Sequence, residues 1–164
     1  IHGDLAGQTL AYIGDGNNVA HSLMLCGALL GVNVRIGCPQ GFEPLPGVLE
    51  QARSLAQHGA HIDVTSDPVQ AVSGAQAVYT DVWASMGQEQ EQAERERAFA
   101  NFRVDQDLMD RAASDAIVLH CLPAHREEEI TAEVMESEAS RIFDQAENRL
   151  HVQQALLAAV MGGL

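Results

Sequence analysis

Lysine is absent from the 164 residues: all nine basic side chains are arginine, set against 23 Asp and Glu for a formal net charge of −14. That absence excludes a Schiff-base lysine and a Walker A lysine, so any anion must be held by arginine, histidine or backbone amides. It also removes the lysine-rich surface that tracks phosphates, and nucleic acid is not an expected partner. Cysteine is scarce and unevenly spaced. Cys26, Cys38 and Cys121 form no CxxC pair for a structural zinc or a redox couple, which points to a reducing cytoplasm. Long apolar runs are missing too: none approaches the roughly 20 residues of a membrane helix. The opening Ile1-His2-Gly3-Asp4 has neither the basic nor the apolar region of an export signal, so neither export nor a membrane is expected. Aromatics make up only 4% of a chain that is 46% hydrophobic. The core is therefore aliphatic, and the length suits one domain.

What is present alternates. Thr9 to Ile13 is a short apolar run ended by Gly14-Asp15-Gly16-Asn17-Asn18, and Val19 to Leu30 then carries apolar residues at helical spacing up to Gly31. Val32 to Cys38 gives a second strand, followed by a helix over about Val48 to Gln57. His61 to Thr65 is a third strand, with Asp67 placed to cap a short helix that Pro68 opens. Ala77 to Thr80 and Ala116 to Leu119 complete the strands, Asp105 to Ala113 is amphipathic, and Ala146 to Met161 forms a closing helix with an extensive apolar face. Crossovers too long for hairpins predict a doubly wound α/β domain, a parallel sheet with helices on both faces. Between these elements, Gln88 to Arg97 is so charged that it reads as a solvated helix or a mobile segment.

In such sheets ligands bind beyond the carboxyl ends of the strands, which singles out the loops leaving the first, fourth and fifth strands. The first, Gly14-Asp15-Gly16, invites a dinucleotide reading, but Val19 stands where the third glycine belongs and no acidic residue closes the second strand. No cofactor is expected. Asn17, Asn18, His21 and Ser22 are instead available to a small polar ligand. The second loop, Asp81-Val82-Trp83-Ala84-Ser85-Met86-Gly87, combines a carboxylate, a hydroxyl and a flexible glycine; the carboxylate either caps its strand or pairs with an ammonium group. The third, His120-Cys121-Leu122-Pro123-Ala124-His125-Arg126, sets histidine beside cysteine and contains a candidate cis Leu-Pro bond. Neighbouring ligands point apart on extended backbone, so a metal held by His120, Cys121 and His125 is not expected. Arg149 opens the last helix region, either exposed or offering its forked donors to an anion.

Together these loops and Ala146-Glu147-Asn148-Arg149 resemble the ornithine carbamoyltransferases over essentially the whole chain. The Ser-Met-Gly loop and the His-Cys-Leu-Pro turn are the specific part, favouring ornithine over aspartate as acceptor. The resemblance implies that Asn18, Asp81 and Ser85 hold the α-amino acid end of ornithine and that Met86 adds main-chain contacts. It implies that Cys121 lies at the reacting δ-amine as a proton acceptor, within the substrate-binding turn that His120 opens. Main-chain groups of Cys121 and Leu122, with Arg149, help place carbamoyl phosphate. A lysine-like δ-amine, with a pKa near 10.4, is neutral in roughly one molecule in a thousand at pH 7, so selecting the neutral amine is part of the task. The family's Ser-x-Arg-Thr phosphate motif is nowhere in this sequence. The resemblance thus implies an absent amino-terminal carbamoyl phosphate domain and a homotrimer when complete, acting in arginine biosynthesis, with the closing helix packed on the other domain. The Ser85-Met86-Gly87 loop is expected to act as a lid. Carbamoyl transfer to putrescine or acetylornithine, a non-catalytic amino-acid-binding module and a nucleotide-binding module stand as alternatives.

Overall fold

A computed structural model describes residues 3–84 and 92–162. Five strands, β1 (Thr9–Ile13), β2 (Asn33–Gly37), β3 (Ile62–Thr65), β4 (Ala77–Thr80) and β5 (Ile117–His120), form one sheet in the order β3-β2-β1-β4-β5. Every pairing is parallel, with Ile13 beside Gly37 and Thr80, and Thr80 beside His120. The chain reverses direction of travel across the sheet between β1 and β4. Their carboxyl ends therefore open a crevice at the place where doubly wound sheets receive ligands.

Strand alternation divides the core. Ala11, Ile13, Val78 and Val118 face one way, against Ala71 and Val72 of α3 (Pro68–Val72), Phe99 of α4 (Gln92–Phe99), Leu108 and Met109 of α5 (Gln106–Met109), Val134 of α6 (Ala132–Met135) and Ile142 of α7 (Ile142–Val160). Tyr12, Val34, Ile36 and Tyr79 face the other way, onto Ala20, Met24 and Ala28 of α1 (Asn18–Leu30) and Ala52 of α2 (Pro46–Leu55). Both faces are covered, which is why these strands read as apolar runs.

Three sequence readings change. The amphipathic stretch from Asp105 yields only the short helix α5, capped by Asp105 through Leu108 N–H, and α6 was not anticipated. The charged segment is not simply solvated. Among its described residues, Arg95 is buried: its guanidinium lies 2.6 Å from Asp15, donates to the Trp83 carbonyl at 2.9 Å and stacks 5.0 Å above the Phe42 ring. Ion pairing and ring stacking offset the desolvation that made a solvated reading attractive. Finally, α7 starts at Ile142 rather than Ala146, and its apolar residues Phe143, Leu150, Val152, Leu156, Leu157 and Val160 are exposed.

Candidate functional site

The site grows from an N-cap. Asn17 closes the loop after β1, and its Oδ1 accepts from Val19 N at 2.8 Å and Ala20 N at 3.3 Å, satisfying two of the donors that open α1. Because the cap requires the oxygen there, the amide's NH2 must point the other way. It does so into the crevice and donates to Asp81 Oδ2 at 3.1 Å. Asp81, directly after β4, is 7% exposed. Its Oδ1 accepts from Val82 N at 2.8 Å and from the Cys121 thiol, which follows β5, at 3.0 Å. The ends of β1, β4 and β5 thus converge on one buried carboxylate.

Burial pushes the Cys121 thiol up to about 12, the hydrogen bond and negative charge of Asp81 push the same way, and a hydrogen bond from Tyr79 opposes them. At that value the thiolate is about one part in 10^5 at pH 7. The sulfur is therefore a protonated donor to Asp81 in this arrangement.

The rest of the turn is built around His120. Its Nδ1 accepts from Leu122 N at 2.8 Å, so the ring proton sits on Nε2, which lies 3.1 Å from Glu129 Oε1. Both ring nitrogens are consumed inside the fold, and side chains of the pair are fully buried. Leu122 adopts a left-handed φ of 57°, uncommon for a residue with a Cβ, and the Leu122-Pro123 peptide is cis. Beyond it an open cleft of about 720 Å³ is lined by Cys121, Leu122, Pro123, Met135, Arg149 and Gln153, among others. Arg149 is exposed and joins Cys121 along this cleft.

Asn18 stands at the first turn of α1 with its side chain exposed, beside the crevice and without a contact to Asp81. Ser85 and Met86 lie outside the described residues, as does Gly87. The dinucleotide reading of the first loop has a structural answer. A Cβ on Gly16 would meet Pro44 N at 2.3 Å, and Gly16 N donates to the Phe42 carbonyl at 2.8 Å. Glycine is needed there because another loop packs against it, which accounts for the residue without a pyrophosphate. His120, Cys121 and His125 do not form a ligand set, since the first faces Glu129 and the second Asp81. His125, Glu128 and Glu129 do bring potential metal-ligating atoms within 4.8 Å of one another, but one Glu129 oxygen already serves His120 and His125 N. Asn17 was read as available to a polar ligand rather than as the helix cap that holds Asp81, and Tyr79, Gln145 and Arg95 escaped a reading by motif; an asparagine preceding a helix and the arginines inside an acidic run were the available signals.

The family model described as the Asp/Orn binding domain of aspartate/ornithine carbamoyltransferase matches residues 6–160. The chain belongs to that family. An ornithine carbamoyltransferase of Parasynechococcus marenigrum (strain WH8102) is 82% identical over 163 residues, which are 99% of this chain and 51% of that protein. One from Prochlorococcus marinus (strain MIT 9313) is 76% identical over 162 residues, again 99% and 51%. Among solved structures, ornithine carbamoyltransferase from Pyrococcus furiosus superposes with a TM-score of 0.93 at 50% identity, over 99% of this chain and 52% of that one. The chain spans about half the length of the curated relatives it matches.

Proposed function

We propose that the complete protein transfers the carbamoyl group of carbamoyl phosphate to the δ-amine of L-ornithine, giving L-citrulline and phosphate, and that this chain supplies the acceptor-binding half. The observation that carries the reading is the buried Asp81 carboxylate held between Asn17 and the Cys121 thiol in the crevice at the sheet's carboxyl edge. Oδ2 has a single partner among the described residues, leaving a lone pair for an ammonium hydrogen. Asp81 with Asn18 and Ser85 then receives the α-amino acid end, Met86 adding its main chain. Cys121 stands at the δ-amine, in the turn that His120 shapes from within. The main chain of Cys121 and Leu122 and the Arg149 guanidinium, gathered along one cleft, place carbamoyl phosphate.

The neutral amine attacks the carbamoyl carbon, a tetrahedral intermediate forms, and phosphate departs with the C–O bond electrons. The amine proton must leave as the C–N bond forms. A thiol raised to about 12 is a poor resting base, so Cys121 accepts that proton only if bound cationic groups first offset Asp81; otherwise the departing phosphate takes it. An amino-terminal domain, absent here, supplies the remaining phosphate contacts, since this acidic chain offers only nine arginines. The relatives' doubled length supports that reading. We also place the complete protein in arginine biosynthesis, as a cytoplasmic homotrimer; free cysteines fit a reducing compartment.

The test is a citrulline assay on the full-length protein and on this chain alone. Turnover with ornithine by the first and none by the second is expected. Preferred use of putrescine or N-acetylornithine, which lack the free α-amino acid end, would overturn the acceptor assignment, and full turnover by the chain alone would overturn the division into halves.

A further inference from the structure

The Asn17–Asp81 hydrogen bond joins the loop after β1 to the loop after β4, and a second link crosses the same gap two residues further out on each side. Arg95 of α4 donates from a single nitrogen, Nη1, to Asp15 Oδ2 at 2.6 Å and to the Trp83 carbonyl at 2.9 Å. Asp15 stands two residues before Asn17, and Trp83 two residues after Asp81. Each loop is braced between its two links. The Asn17 N–H donates to the Asp15 carbonyl at 2.7 Å, and the Val82 N–H donates to Asp81 Oδ1 at 2.8 Å. We propose that Arg95 is a positioning residue for acceptor binding: its guanidinium clamps the two loops together, so that the Asp81 carboxylate and the Asn17 amide keep their aim into the crevice.

The clamp is itself held from both sides. The Arg95 guanidinium lies 5.0 Å above the Phe42 ring, and the Phe42 carbonyl accepts at 2.8 Å from Gly16 N, between Asp15 and Asn17. One helical turn from Arg95, the Phe99 ring stacks on the Trp83 indole at 6.0 Å, so α4 grips Trp83 by its carbonyl and by its ring. Net stability is a weak reason for such a pair. Against apolar side chains of the same volume a buried ion pair gains little, whereas directed bonds from one nitrogen to two oxygens fix the spacing of the loops that bear them.

Field and geometry make opposite predictions for this residue. Its charge, joined to a carbonyl two residues from Asp81, repels an ammonium group in the crevice. Through the field alone, removing it would tighten ornithine; only lost positioning weakens it.

This inference rests on the reading of Asp81 as the acceptor's ammonium partner, and its test separates the two. In the full-length protein, Arg95→Met should raise KM for ornithine and Kd for norvaline about tenfold, the size of coupling within one hydrogen-bonded network. KM for carbamoyl phosphate and kcat should stay close to wild type. A merely structural role would do the reverse, since an unfolded fraction lowers the apparent kcat and leaves KM in place. Arg95→Lys should recover part of the loss, because one ammonium nitrogen can donate to both oxygens. Asp15→Asn, which keeps the shape and removes the charge, supplies a second variant; combined with Arg95→Met it should weaken ornithine by less than the product of the two single effects. Hydrogen exchange without ligand reads the clamp independently of any acceptor. In Arg95→Met the amides of Val19, Ala20 and Val82, which Asn17 and Asp81 hold, should exchange about tenfold faster while those of β1 and β4 keep their protection. Unchanged exchange in these loops, unchanged or tighter ornithine and norvaline, or fully multiplicative effects in the double variant would overturn the clamp. Wild type that does not use ornithine would instead sink the acceptor reading, with the exchange experiment still deciding whether Arg95 holds the loops.

Discussion

Replacing Asp81 with asparagine is the most informative perturbation of the crevice, because the two ends of an amide cannot reproduce what the carboxylate does. Oδ1 accepts from Val82 N and the Cys121 thiol, and Oδ2 accepts from the Asn17 NH2. If the new amide keeps its oxygen at Oδ1, its NH2 confronts the NH2 of Asn17; turned over, it confronts Val82 N–H. Either way one buried donor faces another. Leaving such a group unsatisfied costs about 1–3 kcal/mol, a fall of about 2–4 °C in Tm for each kcal/mol at this size. For binding, the proposed reading sets the lost charge opposite an ammonium group. Truncating one member of a buried, hydrogen-bonded charge pair costs about 2–5 kcal/mol, which converts to roughly 30-fold to several-thousand-fold weaker ornithine.

The assay compares full-length wild type and Asp81→Asn for ornithine, for carbamoyl phosphate, and for norvaline, which keeps the α-amino acid end and lacks the δ-amine. Ornithine and norvaline should weaken together and carbamoyl phosphate little. Cys121 should move in the opposite sense: with Asp81 neutral, two of the influences that push its thiol up are removed. Alkylation of Cys121 should then quicken while Cys38 stays protected. Equal norvaline binding by the two forms would refute the assignment of Asp81 to the α-amino group.

Two further outcomes follow from the same geometry. Arg95→Met should destabilise the chain by about 3 kcal/mol, since it leaves Asp15 with a poorly solvated, unpaired charge, or about 10 °C in Tm by circular dichroism; a shift under 2 °C would return Arg95 to the solvated surface. Burial pushes both Cys38 and Cys121 up to about 12 and raises Tyr12 and Tyr79 as well. Folded values above the unfolded ones mean that stability is complete below the ordinary thiol range, near pH 8.5, and is lost as pH climbs towards about 12. The urea midpoint should therefore fall steadily between pH 8 and pH 10.5, and a flat midpoint would contradict the burial of these groups.

Much of the fold was legible because strand period and turn residues speak locally. Thr9–Ile13 and Ala77–Thr80 were read with the bounds they adopt, and the Asp67-Pro68 helix start holds, with Asp67 Oδ1 accepting from Val69 N and Gln70 N. The loops that carry the site followed from topology, since a parallel sheet gathers the ends of β1, β4 and β5. What escaped was long-range. Arg95 looks solvated until Asp15, 80 residues away, is known to lie beside it. Asn17 rather than Asn18 reaches Asp81 because capping fixes which amide faces inward, a choice that two adjacent asparagines do not disclose. The apolar face of α7 was visible as a pattern, but periodicity says that a face is to be covered and not by what; only Ile142 of that helix is buried.

The electrostatics of the crevice bear on how the work is divided between halves. A net charge of −14 on 164 residues creates a field that draws cations and repels anions. Ornithine, with two ammonium groups and one carboxylate, would be attracted by that field, and in the proposed reading Asp81 receives one of the ammonium groups. Carbamoyl phosphate is repelled. An acidic half can hold it only where fixed donors outweigh the field locally, as Arg149 and the amides of the Cys121-Leu122 turn would along their shared cleft. The proposed reaction therefore needs a second, more basic surface facing this one. Closing such a surface over the crevice would set positive charge opposite Asp81 and Cys121, lowering the thiol towards the range in which it takes a proton. On this account the acidity of the chain and the raised Cys121 thiol are one property: an acceptor half that collects its cation and holds its base protonated until the donor half arrives.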